Sequence, residues 1–543
     1  MARSTWIAGL AVTALLWFAP LASYRLFNPD EGRYAEIPRE MLVSADWVTP
    51  RLDAIKYFEK PPLQYWATAA AYQVFGEHEW SARLWAALSG FLALLLTVWI
   101  GTRLYGATAG LLAALVQGGS LLYLGLARIT TLDMGLTATL ELALAGLLLL
   151  VQRGRTDAGM RLGSLLLALG AALAFLSKGM VGILIPGAVA TLYLLLRRDW
   201  GLVLRARPWW AILALALLAG PWVLLMEQRN PGFAQFFFVH EHFTRFLTRV
   251  HQRYEPDWFF IPVLLLGFMP WTPLLPAIAQ RCWRDLRDGD GASLLLALWT
   301  GFCLLFFSVS QSKLIPYILP LFPALALLAG RCLAVLEPKL LGRACLLAGA
   351  SWALLAGAVL WLWQTPAMAA RLDIAAGPAA PAIAAGFMLA GLISAAAACL
   401  AVRRGALPGA ALGALGSVAL LAVLLPAADQ LPRQREITAL VSAAAAQPDA
   451  GSAFYCVGTY EQSVPFYLRR TCTLVGYRGE LDFGLQQEPG RWIADLAGFA
   501  ARWRGEAAAL AILSPESHAE LQRMGLPMRV IYTGPSLVAV VRQ

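Results

Sequence analysis

Apolar and polar stretches alternate along the first 430 residues of the chain. Thirteen apolar runs are about as long as an α-helix that crosses a bilayer, which needs roughly 20 residues. The pattern predicts a polytopic α-helical membrane protein with about thirteen transmembrane helices. The runs lie near residues 6–23, 80–102, 107–126, 131–151, 161–177, 179–196, 208–226, 258–279, 291–309, 314–335, 341–363, 381–401 and 408–426.

The pattern changes after about residue 430. Short β-prone runs alternate there with helical patterns, which predicts a small α/β domain. We therefore divide the chain into a transmembrane domain, 1–428, and a C-terminal α/β domain, 429–543. Strands are predicted at 453–457, 472–475, 509–513, 528–532 and 537–541, and helices at 436–446 and near 460–470, 491–503 and 515–524.

Composition agrees with a membrane protein. Of 543 residues, 59% are hydrophobic and 14% are charged, whereas a soluble domain carries roughly 25% charged residues. The net charge of +10 does not indicate nucleic acid, because most basic residues lie in short loops, where positive-inside bias and anionic lipids explain them. The first run resembles a signal peptide but lacks a clear cleavage site, so we interpret it as the first span.

The short loops predict the orientation. One alternate set contains sixteen Lys and Arg residues and the opposite set contains four, which are Arg128, Lys178, Lys313 and Arg371. Since positively charged loops stay inside, the N-terminus is predicted to be cytoplasmic. The long loops 24–79 and 227–257 and the C-terminal domain then face the periplasm, at the inner membrane of a two-membrane bacterium.

The first long loop holds the densest charge of the membrane half, between residues 28 and 66. Charges are costly inside hydrocarbon, so such a segment between two spans indicates an active surface. Asn28 can cap a helix that begins with Pro29 and Asp30, and we predict that this helix is amphipathic and lies at the membrane surface. Asp30 is a candidate catalytic acid, and the alternative for Asp30 and Glu31 is that they complement the helix dipole. The predicted apolar face consists of Tyr34, Ile37 and Met41.

The same loop contains Tyr57-Phe58-Glu59-Lys60-Pro61-Pro62. The prolines favour an extended backbone at Lys60, in which Glu59 and Lys60 cannot point the same way. Lys60 is then free to meet an anion while Glu59 faces another partner. The alternative is that the two residues form a solvated pair in the loop.

Asp133 lies at the mouth of the fourth predicted span and is an isolated acid. It has either a functional role or the structural role of an acid at a helix N-terminus.

The second long loop contains His240, His242 and Arg245. The two histidines could ligate a divalent metal such as zinc together with Glu59, and surface polar residues on a membrane-dipping helix are the alternative. A guanidinium at headgroup level suits a phosphate, which makes Arg245 a candidate phosphate ligand. Lys313 and Tyr317 are further candidate ligands of the same phosphate. The alternative for Lys313 is a lysine whose ammonium snorkels to the membrane interface without a binding role.

Two of the seven cysteines, Cys456 and Cys472, lie in the C-terminal domain. An oxidising compartment would permit a disulfide between them, and two unpaired buried thiols are the alternative. The chain shows no CxxC or Cys/His metal spacing.

Three motifs carry a family resemblance. They are Asp30-Glu31-x-Arg33-Tyr34-Ala35-Glu36-Ile37, Trp47-Val-x-Pro50 and Tyr57-Phe58-Glu59-Lys60-Pro61-Pro62. They resemble the aminoarabinose transferases of lipid A modification and, more broadly, the GT-C type of membrane glycosyltransferases that includes protein O-mannosyltransferases. Gly32 and Pro38 stand where we expect other residues in relatives.

The resemblance implies the roles of the site residues. Asp30, Glu59 and Asp133 would be the catalytic residues at the sugar site, and Arg33 and Tyr57 would contact sugar or acceptor. Lys60, Arg245 and Tyr317 would hold the phosphate of the donor. No cofactor is expected to be required, a divalent metal such as zinc in the periplasmic cavity is the alternative, and the protein is expected to be a monomer.

The expected function is transfer of 4-amino-4-deoxy-L-arabinose from undecaprenyl phosphate to lipid A phosphate, which confers resistance to polymyxin. The alternative is a related glycosyltransferase with a hydroxyl acceptor, as in protein O-mannosylation. A lipid transporter ranks lower, because transporters place polar residues at mid-membrane in repeated halves, whereas here they gather at one face.

Overall fold

The computed structural model describes residues 3–152, 154–244, 255–366, 368, 377–447 and 452–543, without the side chains of residues 3–10 and 242–244. The part before the C-terminal domain is almost entirely helical. Its α-helices are Arg3–Phe18, Asp30–Ser44, Leu63–Phe75, Glu79–Tyr105, Ala107–Gly119, Leu121–Leu126, Leu132–Val151, Asp157–Lys178, Val181–Arg197, Gly201–Ala206, Pro208–Leu218, Gly220–Arg229, Phe260–Gly267, Leu275–Arg287, Gly291–Val309, Phe322–Leu333, Pro338–Gln364, Ala380–Arg404 and Ala406–Ala428.

All thirteen predicted runs coincide with apolar helices. Nine helices of the described chain are long and apolar enough to cross a membrane, and a tenth span would combine Phe260–Gly267 with Thr272–Arg287, which are bent by 105°. Shorter apolar helices, Ala11–Ala22, Ala107–Gly119 and Val181–Arg197, cover the three remaining runs. The protein is therefore a multi-pass membrane protein, and the number of thirteen spans stays a prediction.

The helix Leu132–Val151 is the centre of the bundle, and nearly all of its residues are buried. It packs against Glu79–Tyr105 and Asp157–Lys178. A helix enclosed on every side is apolar all round, and this one departs from that rule at two acids, Asp133 and Glu141.

The first long loop is folded, not extended. It contains the helix Asp30–Ser44, an antiparallel hairpin of Arg51–Leu52 and Ile55–Lys56, and the helix Leu63–Phe75. Every residue from Glu31 to Met41 is buried, so both faces of the predicted amphipathic helix are covered by protein, and its place at the membrane surface stays a prediction. Its apolar residues, Tyr34, Ile37 and Met41, pack in one cluster with residues of the α/β domain. The pattern of one helix could not indicate this partner.

Asn28 is not the N-cap of that helix. Pro29 occupies the cap position and no side chain caps it. The Asn28 amide instead donates to Glu461 at 2.5 Å, and its oxygen accepts from the backbone of Ser463 at 3.0 Å. Asn28 therefore joins the loop to the α/β domain.

Gly32 lies at the closest approach between the loop helix and the α/β domain. A Cβ atom there would lie 2.4 Å from the backbone nitrogen of Ser463. Glycine at this position permits the docking of the two parts, which accounts for a residue that the family pattern did not lead us to expect.

The α/β domain contains one six-stranded sheet. Its four parallel strands lie in the order Trp492–Ile493, Thr473–Val475, Ala453–Val457, Ala509–Leu513, and two antiparallel strands, Val538–Arg542 and Met528–Thr533, complete the edge. The five strands predicted from sequence are confirmed, while Trp492–Ile493 was missed because two residues give no periodic signal. The helices of this part are Pro432–Ala445, Ser463–Leu468, Asp482–Gln487, Leu496–Gly505 and Pro515–Arg523.

Cys456 and Cys472 form a disulfide between adjacent parallel strands, with their Cα atoms 5.9 Å apart. The backbone nitrogen of Cys472 also donates to the buried carboxylate of Asp53 at 2.6 Å. The cross-link thus lies where the sheet meets the hairpin of the first loop.

Substitution Gly32→Ala should destabilise the protein by about 1–3 kcal/mol, the usual cost of overpacking, because the obstructing atoms belong to backbone. Gly187→Ala is the matched control, since it lies within a helix and nothing within 4 Å of its added Cβ obstructs it. Thermal unfolding of the purified proteins in detergent checks this. Equal midpoints for the two variants would contradict the close docking.

Candidate active site

A cavity of about 1020 Å³ lies at one end of the bundle, where the first loop, the second loop and the α/β domain meet. It brings together residues from seven separate stretches of the chain. The charged and hydroxyl-bearing residues of its wall are Asp30, Arg33, Tyr34, Glu59, Lys60, Thr131, Asp133, Lys178, Glu241, Tyr317, Glu480 and Asp482.

The ion pair of Glu31 with Arg83 anchors one side of the cavity. Both side chains are completely buried, with Nε and Nη2 of Arg83 at 2.8 and 2.9 Å from the two oxygens of Glu31. Glu31 also accepts from the backbone nitrogens of Phe27 and Thr130 at 2.9 and 2.8 Å. A buried charge needs such complete pairing, and here the pairing fixes Asp30 and the start of the Asp133 helix relative to each other.

Arg83 extends this anchor to the first span. Its guanidinium donates to the backbone oxygens of Leu21 and Tyr24 at 2.8 and 2.9 Å and to that of Arg25 at 2.8 Å. These carbonyls follow the first apolar helix and would otherwise lack donors. Glu31 therefore has a structural role, although sequence alone left open a simple dipole effect.

Lys60 lies in the wall of the cavity between two acids. Its Nζ donates to the backbone oxygen of Glu59 at 2.9 Å and to Oε2 of Glu241 at 3.0 Å. It also lies 3.7 Å from the Glu59 carboxylate. The prediction that Glu59 and Lys60 point in different directions is wrong, because the long lysine side chain turns back along the loop and both residues line the cavity.

Asp133 is paired with Lys178, which sequence analysis used only as a marker of orientation. Their Nζ and Oδ1 atoms are 2.5 Å apart, and the ammonium also lies 4.5 Å from the centre of the Tyr317 ring. The three residues come from three different helical segments. A lysine at the end of an apolar run gives no signal that distinguishes a site residue from a snorkelling one.

Arg33 connects the loop helix to the α/β domain. Its Nη1 lies 2.9 Å from Asp30 and its Nη2 lies 2.5 Å from Glu480. Burial raises the pKa of Glu480, an effect that the Arg33 charge opposes. Arg33 thereby keeps Asp30 and Glu480 at the cavity wall.

Tyr57 does not reach the cavity wall, contrary to its expected contact with sugar or acceptor. It is 2% exposed, burial raises the pKa of its phenol, and its hydroxyl has no hydrogen-bond partner among the residues that the structure describes. Its place is in the apolar layer behind Arg33.

Lys313 does not line the cavity either. Its buried ammonium donates to the backbone oxygen of Glu255 at 2.9 Å and lies 3.6 Å from Asp257. Its position in the chain near Tyr317 suggested a phosphate contact, but only Tyr317 belongs to the cavity wall. Arg245 lies outside the described residues.

The predicted metal site is only partly described. His240 lines the cavity with Nδ1 at 3.6 Å from Glu241, while the side chain of His242 lies outside the described part. In that part, no three His, Cys, Asp or Glu residues are grouped as metal ligands. The metal site with Glu59 stays a prediction.

The α/β domain closes the cavity from the side opposite the bundle. Residues 479–487 supply Glu480, Asp482 and Phe483 to the wall. The Phe483 ring stacks on Phe236 of the second loop with centroids 3.8 Å apart. The sequence of this segment gives no signal of a site, since it contains no motif and its helix, Asp482–Gln487, has six residues.

The chain matches two family profiles and the solved structures of one related protein. A family profile described as dolichyl-phosphate-mannose-protein mannosyltransferase matches residues 4–237, and one described as aminoarabinose transferase C-terminal domain matches residues 440–542. The crystal structure of ArnT from Cupriavidus metallidurans bound to undecaprenyl phosphate is 33% identical, with a TM-score of 0.90 over 99% of this chain and 98% of that chain. The apo structure of the same protein gives a TM-score of 0.89.

Two curated relatives are named undecaprenyl phosphate-alpha-4-amino-4-deoxy-L-arabinose arabinosyl transferase. The protein of Aeromonas salmonicida (strain A449) is 37% identical over 58% of this chain and 57% of its own length. The protein of Pseudomonas aeruginosa (strain UCBPP-PA14) is 36% identical over 61% of this chain and 60% of its own length. The matched segment spans less than two thirds of these relatives.

A multi-pass helical bundle with a charged cavity at one end, covered by an α/β domain, is the architecture of a GT-C glycosyltransferase. Within that class, the chain belongs to the ArnT family of aminoarabinose transferases.

Lys178→Met should destabilise the protein by about 1–3 kcal/mol, because it leaves the largely buried Asp133 carboxylate without its cation. Adding Asp133→Asn should recover part of that loss, with a coupling energy of about 1–3 kcal/mol. Unfolding of the wild type, both single variants and the double variant completes the cycle. Strictly additive losses would show that the pair does not interact.

Proposed function

We propose that the protein transfers 4-amino-4-deoxy-L-arabinose from undecaprenyl phosphate to phosphate groups of lipid A. The observation that carries this proposal is the Lys60 ammonium in a cavity whose wall also holds Asp30, Glu59 and Asp133. ArnT of Cupriavidus metallidurans, which this chain resembles over nearly its full length, has been solved with undecaprenyl phosphate. A cationic sugar on lipid A lowers the negative charge that attracts polymyxin.

The reaction is a direct displacement at the anomeric carbon of the sugar. The bond from this carbon to the undecaprenyl phosphate oxygen breaks, and that oxygen keeps the electron pair. An oxygen of the acceptor phosphate forms the new bond to carbon. The departing phosphate is a stable anion that needs no general acid, so the protein contributes chiefly positive charge at the leaving oxygen.

Lys60 provides that charge. Its partner in the structure is Glu241, and the donor phosphate would replace this carboxylate as the counter-ion. Tyr317, beside the Lys178 ammonium, faces the same cavity and would give a second contact to the phosphate. Arg245, predicted from sequence, would be a third.

The acids of the cavity wall act on the sugar. Asp30, Glu59 and Asp133 would pair with its ammonium group or stabilise positive charge that develops at the anomeric carbon. The acceptor phosphate is already an anion, so no strong base is needed. A hydroxyl acceptor would need a general base such as Asp30, an effect of roughly 10²–10⁴-fold, and the acceptor assay below separates the two cases.

We place the cavity on the periplasmic side of the bacterial inner membrane. The support is the excess of Lys and Arg in the loops at the opposite end of the bundle. Both substrates carry acyl or polyprenyl chains, and a cavity at the end of the bundle lies at the level of their headgroups.

Lipid A analysis tests the function. The gene is expressed in a bacterium that makes the aminoarabinose donor but lacks its own transferase, and lipid A is examined by mass spectrometry. The wild type should add an amino-pentose to lipid A phosphate, Lys60→Ala should not, and Lys339→Ala, an exposed lysine far from the cavity, should behave as wild type. Unmodified lipid A in donor-containing cells that express the wild type would overturn the proposal.

Donor binding tests the role of Lys60 separately. Titration of purified protein with undecaprenyl phosphate should show affinity reduced by about 10–100-fold in Lys60→Ala, because a charge-assisted hydrogen bond is lost. Glu241→Gln should act in the opposite direction, since it removes the carboxylate that competes for Lys60. Unchanged affinity in both variants would contradict the phosphate assignment.

A further inference from the structure

Three polar side chains form a closed ring inside the helix bundle, apart from the cavity. They are Thr97 of helix Glu79–Tyr105, Gln117 of helix Ala107–Gly119 and Glu141 of helix Leu132–Val151. All three are at most 1% exposed. Thr97 Oγ1 lies 2.6 Å from Glu141 Oε1 and 2.5 Å from Gln117 Oε1, and Gln117 Nε2 lies 2.9 Å from Glu141 Oε2.

The number of hydrogens in this ring determines the charge of Glu141. Three contacts need three hydrogens, of which the Thr97 hydroxyl supplies one and the Gln117 amide supplies one. The third must come from Glu141. An ionised carboxylate would leave two acceptor oxygens facing each other without a proton.

The conclusion does not depend on which way the Gln117 amide is turned. With the amide reversed, its nitrogen donates to Thr97, Thr97 donates to Glu141, and the Glu141 acid must donate to the amide oxygen. Both orientations close the ring only when Glu141 carries a proton.

The surroundings agree with a neutral acid. Within the described residues, Glu141 has no Lys, Arg or His as an ion-pair partner, and its hydrogen bonds go to Thr97 and Gln117. An unpaired charge at this depth in a bundle is costly. A protonated carboxyl group with both oxygens hydrogen-bonded avoids that cost.

We infer that Glu141 is a neutral carboxylic acid that positions Asp133. The two residues are eight positions apart on one helix, about 12 Å along its axis. At its N-terminal end this helix is held by the bond from Thr130 nitrogen to Glu31, and the ring holds it two turns further along. Two fixed points set both the height and the rotation at which Asp133 enters the cavity, and this consequence rests on the proposed role of Asp133.

Infrared difference spectroscopy tests the protonation state without any assay of activity. The difference spectrum, purified wild type minus purified Glu141→Gln, should show the carbonyl stretch of a protonated carboxyl group in neutral buffer. Glu520→Gln, which removes an exposed acid of the α/β domain, should show carboxylate bands only. Carboxylate bands in the Glu141 difference spectrum would overturn the inference.

Transfer activity tests the positioning role. A glutamine at position 141 donates to Thr97 and accepts from Gln117 as the acid does, so Glu141→Gln should keep kcat within about twofold, whereas Glu141→Leu should lower it by roughly tenfold or more through misplacement of Asp133. Thr97→Val should reproduce the loss from another helix. Equal activity of the Gln and Leu variants would refute positioning, and an inactive wild type with the acid band present would refute only the proposed function.

Discussion

The completely buried ion pair of Glu31 and Arg83 is the contact on which the rest of the site depends. It joins the end of the first span, the second span, the loop helix and the entry to the central helix through one guanidinium and one carboxylate. Removal of either partner would leave an uncompensated charge in an apolar interior, which is among the most costly changes a protein can suffer. The pair performs no chemistry, yet it determines where Asp30 and Asp133 stand.

Charges of both signs line the cavity, which suits the proposed reaction between an anionic phosphate and a cationic sugar. Lys60 and Lys178 each have a carboxylate partner within about 3 Å, so the protein alone is nearly neutralised there. In the proposed reaction, an incoming phosphate and an incoming ammonium would exchange with these internal partners without exposing a bare charge to the apolar surroundings. The electrostatics of the proposed site would then depend on exchange of ion-pair partners more than on an excess of positive charge.

Periodicity and charge predicted much of the molecule but not its assembly. The apolar runs, five strands of the sheet and the importance of Asp30, Lys60, Asp133 and Tyr317 as cavity residues were accessible because each depends on local pattern or motif. Lys178 and Glu480 were not, since a single lysine beside a span and a single acid in a short helix have no local signature. The complete burial of the loop helix was inaccessible for a related reason: it packs against the α/β domain, whose residues lie about 400 or more positions later in the chain.

The wall formed by residues 479–487 has a consequence for biogenesis. The spans and both loops are synthesised first, but the cavity is complete only after the last fifth of the chain has folded and docked. A bundle without this domain would keep the pairs of Lys60 with Glu241 and of Lys178 with Asp133 but would lack the wall that encloses them. An enclosed cavity is in this sense a property of the finished chain, acquired only when its last domain docks.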